Sequence, residues 1–283
     1  MSTDAPLARS WTRSTRVRAR EVVTVNARDV LAALGASRAR GAGVNVAFEP
    51  QVEHWDCGLA CALMLVRSAA AQNARARTAL RQTIDLATMT RACGTKSVWT
   101  IDLAFALSAF GAEASVMFTS FLGVNLEYVT TSFYRDEILR DVKRVEGLFR
   151  AASRGEGGVD VRCGRLSTRT VADVCRSGRV ACVVLVDKSL LYASEDDADA
   201  DVERKEERHF VGHYIVVCGV DADRFIIRDP ARPDARSVSS RAFDDARRAF
   251  GTDDDLIFVN LERFNVERCQ RTLARYAVAQ SSA

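Results

Sequence analysis

At 283 residues with 48% hydrophobic content, the chain is long enough to bury a sizeable core, and 27% charged residues is an ordinary fraction for a folded domain. The net charge of +3 is unevenly placed: eight Arg against three acids give residues 1–45 a balance of +5, leaving −2 for the rest. A body this close to neutral excludes nucleic acid as the expected partner, because phosphate binding needs a concentrated basic face.

No stretch approaches the roughly 20 apolar residues a membrane helix needs, so no membrane partner is expected. Residues Pro6 to Arg20 are rich in Arg, Ser and Thr and contain no acid. They read as a solvated tail in a cytoplasmic protein, with organellar targeting by residues 1–20 as the alternative. Val30 to Leu34 is a short apolar stretch, and GASRARGAG (35–43) reads as a linker. The division expected is a disordered basic tail and linker over 1–43, one catalytic domain over 44–262, and a helix or tail over 263–283.

From Val44 onward the pattern predicts a helix over 57–71 with Asp56 as N-cap, a second over 76–91 and a third over 98–110. VMFT (116–119) reads as a buried strand. Residues 131–151 form an amphipathic helix with Phe133, Ile138, Val142, Val145 and Phe149 along one stripe. A glycine-rich break at 155–158 and a short helix at 168–177 follow. The second half then turns to strands: 180–186, 214–220, 224–229 and 256–260, with one helix at 241–250. Helices first and strands later indicate an α+β fold, a helical lobe packed on a mainly antiparallel sheet. The charged run 194–208 reads as a solvated loop, and Asp253 to Asp255 as a solvated turn.

The chemistry concentrates in QVEHWDCGLAC (51–61). Cys57 falls in the first turn of a predicted helix, where free backbone N–H groups and the helix dipole favour a thiolate. Its own N–H and the side-chain amide of Gln51 form a candidate oxyanion site, and Gly58 is expected to leave open space beside the sulfur. Of three histidines, His213 opens a strand, and Asp229 ends the next one in an Asp-Pro turn. A hairpin brings the two side by side, giving the nucleophile, base and orienting acid of thiol catalysis. His54 and His209 are expected to take no part. Trp55, Trp99 and Gly212 are candidate cleft walls, the alternative for both tryptophans being core packing. The eight cysteines follow no disulfide framework and lack zinc-ligand spacing, so reduced thiols and no metal are expected.

Gln51, Cys57, His213 and Asp229 together resemble the papain-like superfamily, most of all its bacteriocin-processing double-glycine peptidase branch. HWDCGLAC (54–61), SVWTIDLAFAL (97–107), FYRDEILRDVKRVEGLF (133–149), GHYIVVCGVD (212–221), IRDPA (227–231) and ARRAFGTDDDLIFV (246–259) resemble the eukaryotic guanylyl cyclase domain-containing protein 1 family, which includes the plant soluble guanylyl cyclase. The resemblance covers about residues 44–262 and implies two chemistries. The papain-like core implies thiol hydrolysis or acyl transfer on a peptide or other amide without a cofactor. The family name implies cyclic GMP formation from GTP, with Mg or Mn. No G-x-x-x-x-G-K-[ST] string or basic cluster at a glycine turn accompanies that second reading. A third reading is a non-catalytic module that binds peptide in the cleft.

Overall fold

A computed structural model describes residues 25–37, 43–77, 80, 84–135, 137–192 and 209–277. The Arg-rich segment 6–20 and the charged run 194–208 lie outside the described residues.

Among the described residues, seven strands form one sheet in the order β2-β1-β7-β3-β4-β5-β6. They are β1 (Ser115–Thr119), β2 (Asp160–Cys163), β3 (Val180–Asp187), β4 (Gly212–Asp221), β5 (Arg224–Arg228), β6 (Arg236–Ser239) and β7 (Leu256–Asn260). All neighbouring pairs run antiparallel except β1 and β2. The fold is therefore α+β with a mainly antiparallel sheet, as the element order predicts.

Helices cover both faces of the sheet, and the central strands show why. On β3, Ala181, Val183 and Leu185 enter one core while Val180, Cys182, Val184 and Val186 enter another. Side chains alternate across a strand, so a strand buried on both faces reads as one continuous apolar run. The first core holds α2 (Cys57–Gln72), α3 (Leu86–Cys93), α4 (Thr100–Ala109) and part of α5 (Ile138–Ser153). The second holds α1 (Ala27–Ala33), α6 (Thr168–Cys175) and α8 (Ser240–Arg247). A four-residue helix α7 (Lys188–Leu191) follows β3, and α9 (Val266–Ala277) ends the described chain.

Several expectations need correction. The folded body begins before Val44: Asn26 caps α1 through its side chain, and Val30, Leu31 and Leu34 are buried in the second core. The helix expected over 76–91 starts at Leu86. Asp85 is extended and its carboxylate accepts the Thr88 N–H at 2.7 Å, which starts a new helix there. The helix expected over 131–151 starts at Ile138, and Phe133 lies ahead of it, 47% exposed. β2 and β6 escape sequence reading because they are sheet edges; DVRC and RSVS carry little apolar signal. Helices and strands also interleave, since β1 and β2 flank α5.

Candidate active site

Cys57 is the first residue of α2, and Asp56 ahead of it does not cap the helix through its side chain. The Asp56 carboxylate turns back to accept the N–H groups of Val52 and Glu53 at 3.1–3.3 Å, bracing the loop before the helix. That departs from the expected N-cap bond and leaves the first-turn N–H groups of α2 without a side-chain partner, beside the sulfur.

β4 brings the histidine to this helix end. The chain into β4 is held by Asp187, whose carboxylate accepts the Val211 N–H, and by Lys188, whose N–H donates to the Val211 carbonyl at 2.9 Å. His213 is buried and hydrogen-bonds through Nε2 to Asp229 Oδ1 at 2.7 Å. With Nε2 on Asp229, Nδ1 is the nitrogen left for the thiol. Burial alone would push the imidazolium down, but the neighbouring Asp229 and Cys57 outweigh it and raise His213 to about 9.

Asp229 sits one residue beyond β5 and is fully buried. Its Oδ1 also accepts the Ala231 N–H at 2.8 Å, and its Oδ2 accepts the Tyr192 hydroxyl at 2.6 Å. Burial works against its charge, yet the His213 and Tyr192 bonds hold it well below the usual carboxylate range. Arg232 adds a guanidinium 4.0 Å from Oδ2 and 4.8 Å from the Tyr192 ring centroid. Tyr192 was missed in the sequence because nothing in its spacing ties it to Asp229, 37 residues away.

A cavity of about 290 Å³ opens at Cys57, lined among others by Trp55, Trp99, Gly212, Tyr214 and Asp255. Both tryptophans and Gly212 are thus at the wall, and His54 lines it too. Trp99 is held there by its Nε1–H donating to Asp141 at 2.7 Å, while Arg144 ties Asp141 to Asp102. A Cβ on Gly212 would lie 2.8 Å from the Phe133 ring, so this position packs as tightly as it borders the cavity. A larger cavity of about 530 Å³ on the other side of Asp253 is lined by no cysteine or histidine.

Of the expected site residues, Gly58, Gln51, His213 and Asp229 lie behind the cavity wall rather than on it. Gly58 leaves no open space: a Cβ there would meet Leu103 and Tyr214 at 2.9 Å, so its smallness lets α2 approach its neighbours. Gln51 is anchored next to Asp229, its N–H donating to the Pro230 carbonyl at 3.0 Å. Its side-chain amide donates to Glu53 O at 2.9 Å, which leaves one of its two amide hydrogens uncommitted.

The acid run is no solvated turn. Asp254 is buried against Arg247 of α8, Asp253 accepts from Tyr128 and Asn125, and Asp255 lines the Cys57 cavity. The signal available in the sequence was its position immediately before LIFVN, a strand buried at every residue.

The family model described as guanylylate cyclase matches residues 46–259. Guanylyl cyclase 1 of Arabidopsis thaliana is 36% identical over 216 residues, which cover 75% of this chain and 74% of that protein. Among solved structures, a C39-like peptidase from Bacillus anthracis is similar with a TM-score of 0.41 and 14% identity, over 78% of this chain and 96% of that one.

Proposed function

The chain belongs to the guanylylate cyclase family, and within it we propose that this protein is a papain-like thiol hydrolase or acyl-transferase acting on a peptide or other amide. The observation that carries the reading is the buried His213–Asp229 pair, with Nε2 of the ring committed to the acid and Cys57 near enough to act on the ring's charge.

In this mechanism His213 takes the thiol proton of Cys57, forming a thiolate–imidazolium pair. The thiolate adds to the substrate carbonyl carbon, and the electron pair moves to its oxygen. The developing oxyanion is met by the Cys57 N–H at the start of α2. His213 then gives its proton to the leaving amine as the C–N bond breaks. Water or a second amine attacks the thioester with His213 as base, releasing the acyl group and restoring the thiol. Asp229 keeps the ring oriented and offsets the imidazolium charge, and no cofactor enters any step.

The test uses the other seven cysteines as internal references. Burial pushes each of them up: Cys93 to about 11, Cys218 and Cys269 to about 12, and Cys61, Cys163, Cys175 and Cys182 upward as well. Iodoacetamide labelling read by peptide mass spectrometry is expected to mark Cys57 first at pH 7, and His213→Ala to slow it by about 100-fold or more. Labelling of Cys57 no faster than the buried thiols would overturn the proposal.

The family description favours a second reading, formation of cyclic GMP from GTP. The acidic run does not fit the divalent cations that such chemistry uses. Asp254 is spent on Arg247 and Asp253 on Tyr128 and Asn125, so the run offers no uncommitted pair of carboxylates to hold two divalent cations. Cyclic GMP made from GTP and Mn by both the native protein and Cys57→Ser would favour that reading over thiol chemistry.

A further inference from the structure

Asp255 has no task in the steps above, yet it lines the same cavity as Cys57. It precedes β7, where its N–H donates to Thr252 O at 3.1 Å and its carbonyl accepts the Leu185 N–H at 3.2 Å, so the backbone is fixed. The residue is nine-tenths buried; the Thr100 and Thr119 hydroxyls are near enough to ease its charge, yet its Oδ1 has no hydrogen-bond partner. A buried carboxylate oxygen left unpaired costs about 1–3 kcal/mol or more, so its retention in a cavity wall calls for a ligand group that completes it.

The surroundings say which group. Asp253 and Glu137 line the same cavity, against Lys96 and His54 as its basic residues, and the Lys96 ammonium already lies 5.7 Å from the Trp55 ring centroid. Trp99, Tyr134 and Tyr214 add aromatic walls, and a cation is the charge that ring faces and carboxylates both attract. Burial, then the neighbouring Asp253 charge, push the Asp255 carboxyl well up, a penalty that an entering cation removes. The Tyr214 phenol lies within electrostatic reach of both Asp255 and Cys57.

We propose that Asp255 is the counter-charge of a substrate pocket for a cationic side chain, so that the amide attacked by Cys57 follows a lysine- or arginine-like residue. This rests on the thiol reading and names its substrate class.

The test compares two irreversible reagents that differ in one charge, acetyl-lysyl and acetyl-norleucyl chloromethyl ketone. With either, the Cys57 sulfur displaces chloride and forms a thioether that peptide mass spectrometry locates. Each rate is divided by that of iodoacetamide on the same protein, which reports the thiol without occupying the pocket. The native protein is expected to prefer the lysyl reagent by about tenfold or more, and Asp255→Asn to bring the ratio close to one. A native ratio near one overturns the cation pocket while leaving the thiol reading intact, and this arm needs no variant to fold. A high ratio that persists in Asp255→Asn assigns the preference to another residue and overturns the role of Asp255. A Cys57 inert to all three reagents overturns the thiol reading, and the pocket built on it.

Discussion

His213 is held at one ring nitrogen by the Asp229 carboxylate, and the neighbouring Cys57 also acts on its charge. Its folded value of about 9 exceeds the ordinary histidine value of 6.5, so the stabilisation is fully present below pH 6.5 and is lost as pH rises through about 9. Asp229 works in the opposite sense: held low, it contributes above the ordinary carboxylate range and loses that contribution as pH falls below it. Urea unfolding at pH 6, 7.5 and 9 is therefore expected to show the native protein losing its stability advantage over His213→Ala across that range. Parallel curves for the two proteins would mean that the ring is neutral in the folded state. At this scale Cys57, His213 and Asp229 were legible because each sits at an element boundary with turn chemistry beside it. Tyr192 was not, because a single hydroxyl bond across 37 residues leaves no periodicity to read.

Among the elements, the meeting of α4 and α5 decides how Trp99 faces the cavity. Arg144 of α5 bridges Asp102 of α4 and Asp141 of its own helix, and donates to the Ser97 carbonyl at 2.9 Å. Asp141 in turn accepts the Trp99 indole N–H. Arg144→Met strands two buried carboxylates and is expected to cost about 1–3 kcal/mol in urea unfolding, the lower end reflecting a guanidinium that is partly exposed. It is also expected to change Trp99 fluorescence, a readout that a loss confined to the surface of α5 would not move. The apolar stripe of α5 was readable from 3.6-residue spacing. Its start was not: Phe133 fits the stripe, but the chain before Ile138 places that ring against Phe210 instead, with centroids 5.3 Å apart.

For the whole molecule, the sheet is a wall between two cores, and α2, which carries Cys57, lies in one of them. α1 belongs to the other, on the face away from α2. Leu31→Ala is accordingly expected to cost about 2–4 kcal/mol, as for any leucine removed from a packed core. A loss below about 0.5 kcal/mol would return the segment to the status of a tail. Among the described residues no helix is long and apolar enough to cross a membrane.

The sequence by itself determined the α+β class, the central apolar strands, and the hairpin that sets His213 beside Asp229. Those properties are local: apolar runs, helix starts and turn residues act within a few positions of one another. Only the tertiary structure decided that α1 is core, that Gly58 packs against Leu103 and Tyr214, and that the acid run is buried with Asp255 facing the thiol cavity. In each case the deciding neighbour is remote in the chain. Three consecutive aspartates look solvated until an arginine from α8, a tyrosine 125 residues upstream and the floor of a cavity are folded around them.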